Sequence, residues 1–115
     1  LKHIIYALVD PQTRQVRYVG RTSQTLKQRL GHHLTAARRN VQKPVYAWIR
    51  SIAPETPIAV ILQEVEYSRY ARAKGVYETT TEAAETKWMK RFERSGILNS
   101  INRHTKAYQR LINQV

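Results

Sequence analysis

Apolar residues run without a break from Ile4 to Val9 and return from Val16 to Gly20, with the polar segment Asp10-Pro11-Gln12-Thr13-Arg14 between them. Two β-branched and aromatic runs flanking a proline-containing turn predict a β-hairpin. Symmetry about Gln12 would oppose residues whose numbers sum to 24, setting Tyr6 against Tyr18 and Leu8 against Val16. The two phenols are then neighbours on one face. Gly20, with no side chain, is expected to leave room beside them for a substrate backbone.

After the hairpin the apolar period changes. Thr22-Ser23 is a helix-start signal, and Leu26, Leu30, Leu34 and Ala37 recur at helical spacing in a stretch that runs to Asn40. On that helix Arg29 and His33 lie one turn apart at the edge of the leucine stripe, so they point along the sheet surface. Pro44 opens a second helix, with Val45, Trp48, Ile49 and Ile52 on one face and an end before Pro54. Ile58 to Val65, after Pro57, predicts a third and central strand. Tyr67 to Thr79 loses all periodicity and predicts a loop. Another helix starts near Thr79 or Thr81, buries Ala84, Trp88, Met89 and Phe92, and stops at Gly96. Glu85 emerges on it at the border of the core, while Lys87, Lys90, Arg91 and Arg94 make the other face basic. Ala107, Tyr108, Leu111, Ile112 and Val115 predict a terminal helix that packs on this domain or begins a linker.

Charge narrows the function. Twenty Lys and Arg against eight Asp and Glu give +12 on 115 residues, which points to a polyanionic partner, with nucleic acid as the default. An anionic membrane is the competing polyanion, but the chain has no long apolar run and no strongly amphipathic amino-terminal segment, so no membrane partner is expected. In the predicted loop, Arg69, Arg72 and Lys74 alternate with Tyr67, Tyr70 and Tyr77. That is either a solvated connection or a DNA-contacting loop in which arginines meet phosphates. The lack of cysteine excludes thiolate zinc sites and cysteine nucleophiles. The length suits one domain, with an intracellular location expected.

In order and spacing these segments resemble the GIY-YIG nuclease family, which includes phage homing endonucleases, some restriction enzymes and a nucleotide-excision-repair incision subunit. Ile4-Ile5-Tyr6 stands for the first tripeptide with Ile4 in place of glycine, and Tyr18-Val19-Gly20 for the second. Arg29 and His33 match the helix-borne arginine and the histidine or tyrosine four residues later. In Thr81-Glu82-Ala83-Ala84-Glu85-Thr86-Lys87-Trp88-Met89 the aromatic and aliphatic residues three and four places on select Glu85, not Glu82, as the family glutamate. Ile97-Leu98-Asn99 resembles the element that closes the domain.

The resemblance implies an α/β fold of the α+β type, with a small antiparallel sheet of about three strands flanked by helices, over residues 1–102, followed by a C-terminal extension at 103–115. It also implies a metal-dependent DNA endonuclease. Glu85 would bind one Mg²⁺ or Mn²⁺, and Arg29 would hold the scissile phosphate with a planar donor set. Tyr6 would activate water, as a phenolate lowered in pKa by Arg29 or a cation, or by relaying a proton to His33. Tyr18 would position phosphate or water, and Arg21, Arg69, Arg72 and Lys74 would contact the DNA backbone. His3 has no assigned role, and His32 and His104 read as surface residues. A non-catalytic basic binding module is the alternative, but it would have no reason to keep one carboxylate at Glu85 amid so much positive charge. Because the chain begins at Leu1, a processed or excised piece is expected, with a DNA-recognition domain or partner protein elsewhere. Substrate type and oligomeric state stay open.

Overall fold

The most apolar strand organises the sheet. In β1 (Lys2–Val9) the consecutive residues Ile5, Tyr6, Ala7 and Leu8 are all at most 1% exposed, so both faces of this strand are covered. It lies between β2 (Val16–Thr22) and β3 (Ile58–Glu66) in a three-stranded antiparallel sheet of order β2-β1-β3. A strand buried on both faces needs an unbroken apolar run. Only β1 has one that is fully covered. The strand expected to be central, β3, is therefore an edge, and it leaves Val60 and Ile61 exposed.

The computed structural model describes residues 2–66 and 76–99. Arg69, Arg72 and Lys74, most of the expected loop, and the expected terminal helix at 103–115 lie outside the described residues. Among the described residues three helices flank the sheet: α1 (Leu26–Arg38), α2 (Pro44–Ile52) and α3 (Val76–Arg91). Tyr6 and Leu8 face α1 and α2 and pack with Ala37, Val45, Trp48 and Ile49. Ile5, Val19 and Val65 pack on the opposite face against Met89 of α3. The chain is thus an α+β domain with its sheet between helical layers, and among the described residues no helix is long and apolar enough to cross a membrane.

The hairpin register differs from the expected one. Tyr6 pairs with Gly20 and Leu8 with Tyr18, and the ladder shifts at the turn so that Val9 meets Val16. The cause is the turn. Asp10 accepts the Gln12 and Thr13 amides on its carboxylate and the Arg14 amide on its carbonyl, while Arg14 takes a positive φ of 63°. This closure pairs the Asp10 amide with the Gln15 carbonyl, and the bulge at Arg17 absorbs the remaining residue. Tyr6 and Tyr18 stay on one face as diagonal neighbours rather than opposite ones.

Helix starts also moved from their expected positions. Thr25, not Thr22-Ser23, caps α1, because Gln28 three residues on completes a reciprocal capping box. The α2 boundaries agree with the sequence, and Trp48 Nε1 donates to Asp10 across 3.3 Å, pinning α2 to the hairpin turn. α3 is already helical at Val76, ahead of the expected start, and a 3-10 turn at Glu93–Ser95 carries the chain to Gly96 with a left-handed φ of 76°.

The closing segment Ile97-Leu98-Asn99 covers the outer edge of β2. Leu98 N–H donates to the Arg17 carbonyl at 2.7 Å, and Asn99 both accepts from Val19 N–H at 3.0 Å and donates to the Val19 carbonyl at 2.6 Å. The Asn99 amide thus stands in for a paired strand. Replacing Asn99 with Ala leaves two part-buried backbone groups without partners and is expected to destabilise the fold by roughly 1–3 kcal/mol. Thermal or urea unfolding checks this, and an unchanged midpoint would mean that water replaces Asn99 without cost.

Candidate active site

The site starts from the hairpin register. With Tyr6 facing Gly20, the Tyr6 ring lies directly over the glycine, and a Cβ at Gly20 would overlap the phenol. The space expected for a substrate backbone is therefore occupied by Tyr6 itself. Gly20 is needed so that this ring can lie flat on the sheet and reach α1.

There it meets His33, on the turn of α1 after Arg29. Tyr6 Oη lies 2.6 Å from His33 Nε2, and Arg29 Nε donates to the same Tyr6 oxygen at 3.1 Å. Arginine can only donate, and with the Tyr6 proton directed to His33 Nε2 the neutral imidazole carries its own proton on Nδ1. That Nδ1 is buried without a hydrogen-bond partner. The His33 ring meets Tyr18 and Tyr46, with centroids 5.1 and 5.8 Å away.

Burial sets the protonation of this group. It lowers the His33 pKa to about 4, with Arg29 and His32 adding to the effect. Burial raises the Tyr6 pKa, helped by Tyr18, and outweighs the opposing pull of Arg29. A phenolate at Tyr6, the expected water-activating form, is thus disfavoured here. Tyr6 is a neutral link, bonded to both Arg29 and His33. The Tyr18 pKa is likewise raised by burial.

In front of these groups opens a cavity of about 210 Å³. At about 30 Å³ per water that is space for roughly seven waters, enough for a phosphodiester group and too little for a base pair. Tyr18 and Arg29 form one wall, and Glu85 and Met89 of α3 with Leu98 and Asn99 form another. Lys43, Val45 and Tyr46 from the start of α2 complete it. Tyr6 and His33 are not part of the lining; they sit behind Arg29. The structure thus brings Tyr6, Tyr18, Arg29, His33 and Glu85 together, although the first and last are 79 residues apart in sequence.

Burial raises the Glu85 pKa too, against the pull of Arg21 and Arg29 and with some help from Glu82. Arg21, expected at a phosphate, donates from Nη1 to Thr81 Oγ1 at 2.8 Å, one turn before Glu85. It ties β2 to α3 and so fixes the height of Glu85 over the sheet. Lys43 and Tyr46 were not foreseen. Pro44 at the first helical position marked where α2 begins, but nothing local showed that its first turn faces the Arg29 helix.

Among the described residues no group of three or more His, Cys, Asp or Glu could enclose a metal ion. Glu85 is a single carboxylate in a polar cavity, which suits Mg²⁺, an ion commonly held by one or two carboxylates with waters and substrate oxygens completing the shell. No protein-family model, curated protein or solved structure matches the chain. The case for function therefore rests on these residues and their geometry.

The buried imidazole makes stability pH-dependent. His33 binds a proton more readily in the unfolded chain, near 6.5, than in the fold, at about 4, so its neutral form supports the fold fully above about pH 6.5. Stability is expected to drop by about 3 kcal/mol as pH falls through that window. Urea unfolding at neutral and acid pH should show a drop that His33→Gln abolishes; equal pH dependence in both proteins would place the proton uptake elsewhere.

Proposed function

We propose that the chain is a nuclease domain that hydrolyses phosphodiester bonds in DNA with the aid of Mg²⁺ or Mn²⁺. One observation carries this reading: Tyr18, Arg29 and Glu85 converge on one phosphate-sized cavity with the Tyr6–His33 pair bonded behind Arg29. The charge of +12 supports a polyanionic substrate.

Each residue has a distinct task. Arg29 is gripped at Nε by Tyr6 and lies beside Tyr18, which turns the face of its guanidinium to the cavity, where it would bind phosphate oxygens in a planar fork. Tyr18 presents its hydroxyl at the cavity wall and orients the attacking water or a phosphate oxygen. Tyr6 and His33, both uncharged, keep Arg29 in place from behind through their short bond. Glu85, the carboxylate on the cavity wall, would hold the divalent ion. When bound, that ion supplies charge stabilisation at the phosphate and a more acidic water. Lys43 adds a second cation at the cavity wall.

Incubation with supercoiled, linear, branched and single-stranded DNA, with and without Mg²⁺, tests the reading and distinguishes the homing, restriction and repair roles. Glu85→Ala is expected to abolish cleavage while DNA binding persists or tightens. Full Mg²⁺-dependent cleavage by the folded variant would remove Glu85 from the metal role. If the wild type binds but never cleaves, the chain is a binding module that keeps the architecture.

Arg29→Lys separates geometry from charge. Lysine keeps the charge but lacks the rigid planar fork that lets Arg29 be held by Tyr6 while facing two phosphate oxygens, so the rate should fall by at least about a hundredfold, as with loss of one preorganised donor. Single-turnover cleavage at saturating protein gives the answer, and near-normal activity would reduce Arg29 to a general electrostatic contact.

A further inference from the structure

Helix α3 has two chemically different sides. Glu85 and Met89 line the cavity, whereas Lys87 and Arg91 are exposed. At about 100° per residue, Lys87 projects roughly 160° away from both cavity-lining residues. Lys90 joins the outer side, and Arg94, in the 3-10 turn that follows, is exposed as well. Between the cations this side offers Ala83, while Ala84 and Trp88 pack toward the core.

Three features distinguish this row from an ordinary solvated surface. Lys87 and Arg91 stand four residues apart on the helix, and like charges at that spacing weaken a helix where alternating signs would support it. None of the four lies within 4 Å of a carboxylate among the described residues, where Lys2–Glu64 is the ion pair formed. The Arg91 guanidinium is held over the Trp88 ring, 5.2 Å from its centroid, and Trp88 is itself fixed by a 2.8 Å bond to Gln63. A cation already fixed in place loses little freedom on binding an anion.

We propose that the outer side of α3 binds the phosphate backbone of a second nucleic-acid segment, facing away from the one in the cavity. A membrane surface is disfavoured because this side has nothing apolar to insert. An extended row of cations suits a repeating anion such as a phosphate backbone better than a single acidic side chain. This inference rests on the proposed nuclease function only for the first segment. Two opposed faces let one domain bridge two duplexes.

The test uses the whole chain in EDTA, so that DNA is bound and not cut. A quadruple variant, Lys87→Gln, Lys90→Gln, Arg91→Gln and Arg94→Gln, is compared with wild type by anisotropy of a labelled random-sequence duplex across a salt series. Wild type should also hold a second labelled duplex on an immobilised one, and the variant should not. The expected result is at least about a tenfold loss of affinity at low salt and a shallower salt slope, by roughly three units or a little more for three or four lost phosphate contacts. The double variant Lys87→Gln, Lys90→Gln keeps the Arg91–Trp88 contact and should show about half the change in slope if the quadruple variant unfolds. Unchanged slope and bridging would overturn the proposal, as would an equal loss of affinity for polyglutamate, which would make the partner an acidic protein. Loss of bridging with intact Mg²⁺-dependent cleavage of a short duplex supports it. A wild type that bridges but never cleaves would sink the nuclease reading and leave this one standing.

Discussion

The hydrogen bond between Tyr6 and His33, 2.6 Å long and almost wholly out of water, is the constraint around which the domain is arranged. A buried phenol or imidazole without its partner costs roughly 1–3 kcal/mol, so each makes the other tolerable inside a small core. The bond also ties the central strand to α1 across 27 residues of sequence. Other features follow from it. Gly20 must lack a Cβ for the Tyr6 ring to reach α1, and the bulge at Arg17 sets the register that puts Gly20 opposite Tyr6.

The same bond explains why burial is so deep on this face. Tyr18 and Tyr46 surround the imidazole and keep water from it, and α2 holds Tyr46 there through a run of Val45, Trp48 and Ile49 on its buried side. Trp48 in turn reaches the turn carboxylate of Asp10, so the loop that fixes the hairpin register also anchors the helix that seals the site. Arg50 donates to the Ala37 carbonyl at 3.0 Å and joins α2 to the end of α1. Packing and polar contacts therefore close on one another around the site.

Much of this could be read from the residues in order, and what could not has identifiable causes. The hairpin, α1, α2 and the buried side of α3 were legible because each writes its own period into the sequence. The grouping of Tyr6, Tyr18, Arg29, His33 and Glu85 was legible only through the spacing of whole segments, since apart from Arg29 and His33, one turn apart on α1, no two of them are close in sequence. The register was not, because a two-residue offset depends on how the Asp10 side chain folds the turn. The place of β3 was hidden for a different reason. A strand of nine residues with Ile58, Val60, Ile61, Leu62 and Val65 looks central by composition, and only pairing with β1 on one side reveals an edge. Lys43 and Tyr46 escaped because their importance comes from α2 crossing to α1, a tertiary fact.

The choice of a phenol to hold Arg29 has a physical logic that burial alone does not supply. A carboxylate would grip the guanidinium more strongly, but it would neutralise the charge that a phosphate needs to meet. Tyr6 gives orientation while remaining neutral, because its pKa is driven up rather than down. His33 has to be neutral for the matching reason. A protonated imidazole could not accept the Tyr6 proton, and it would place a second cation in a buried space beside Arg29. The raised phenol and the lowered imidazole are thus two sides of one requirement, an arginine fixed from behind by uncharged partners. Its full positive charge is then left to the cavity, where Glu85 is the carboxylate that faces it.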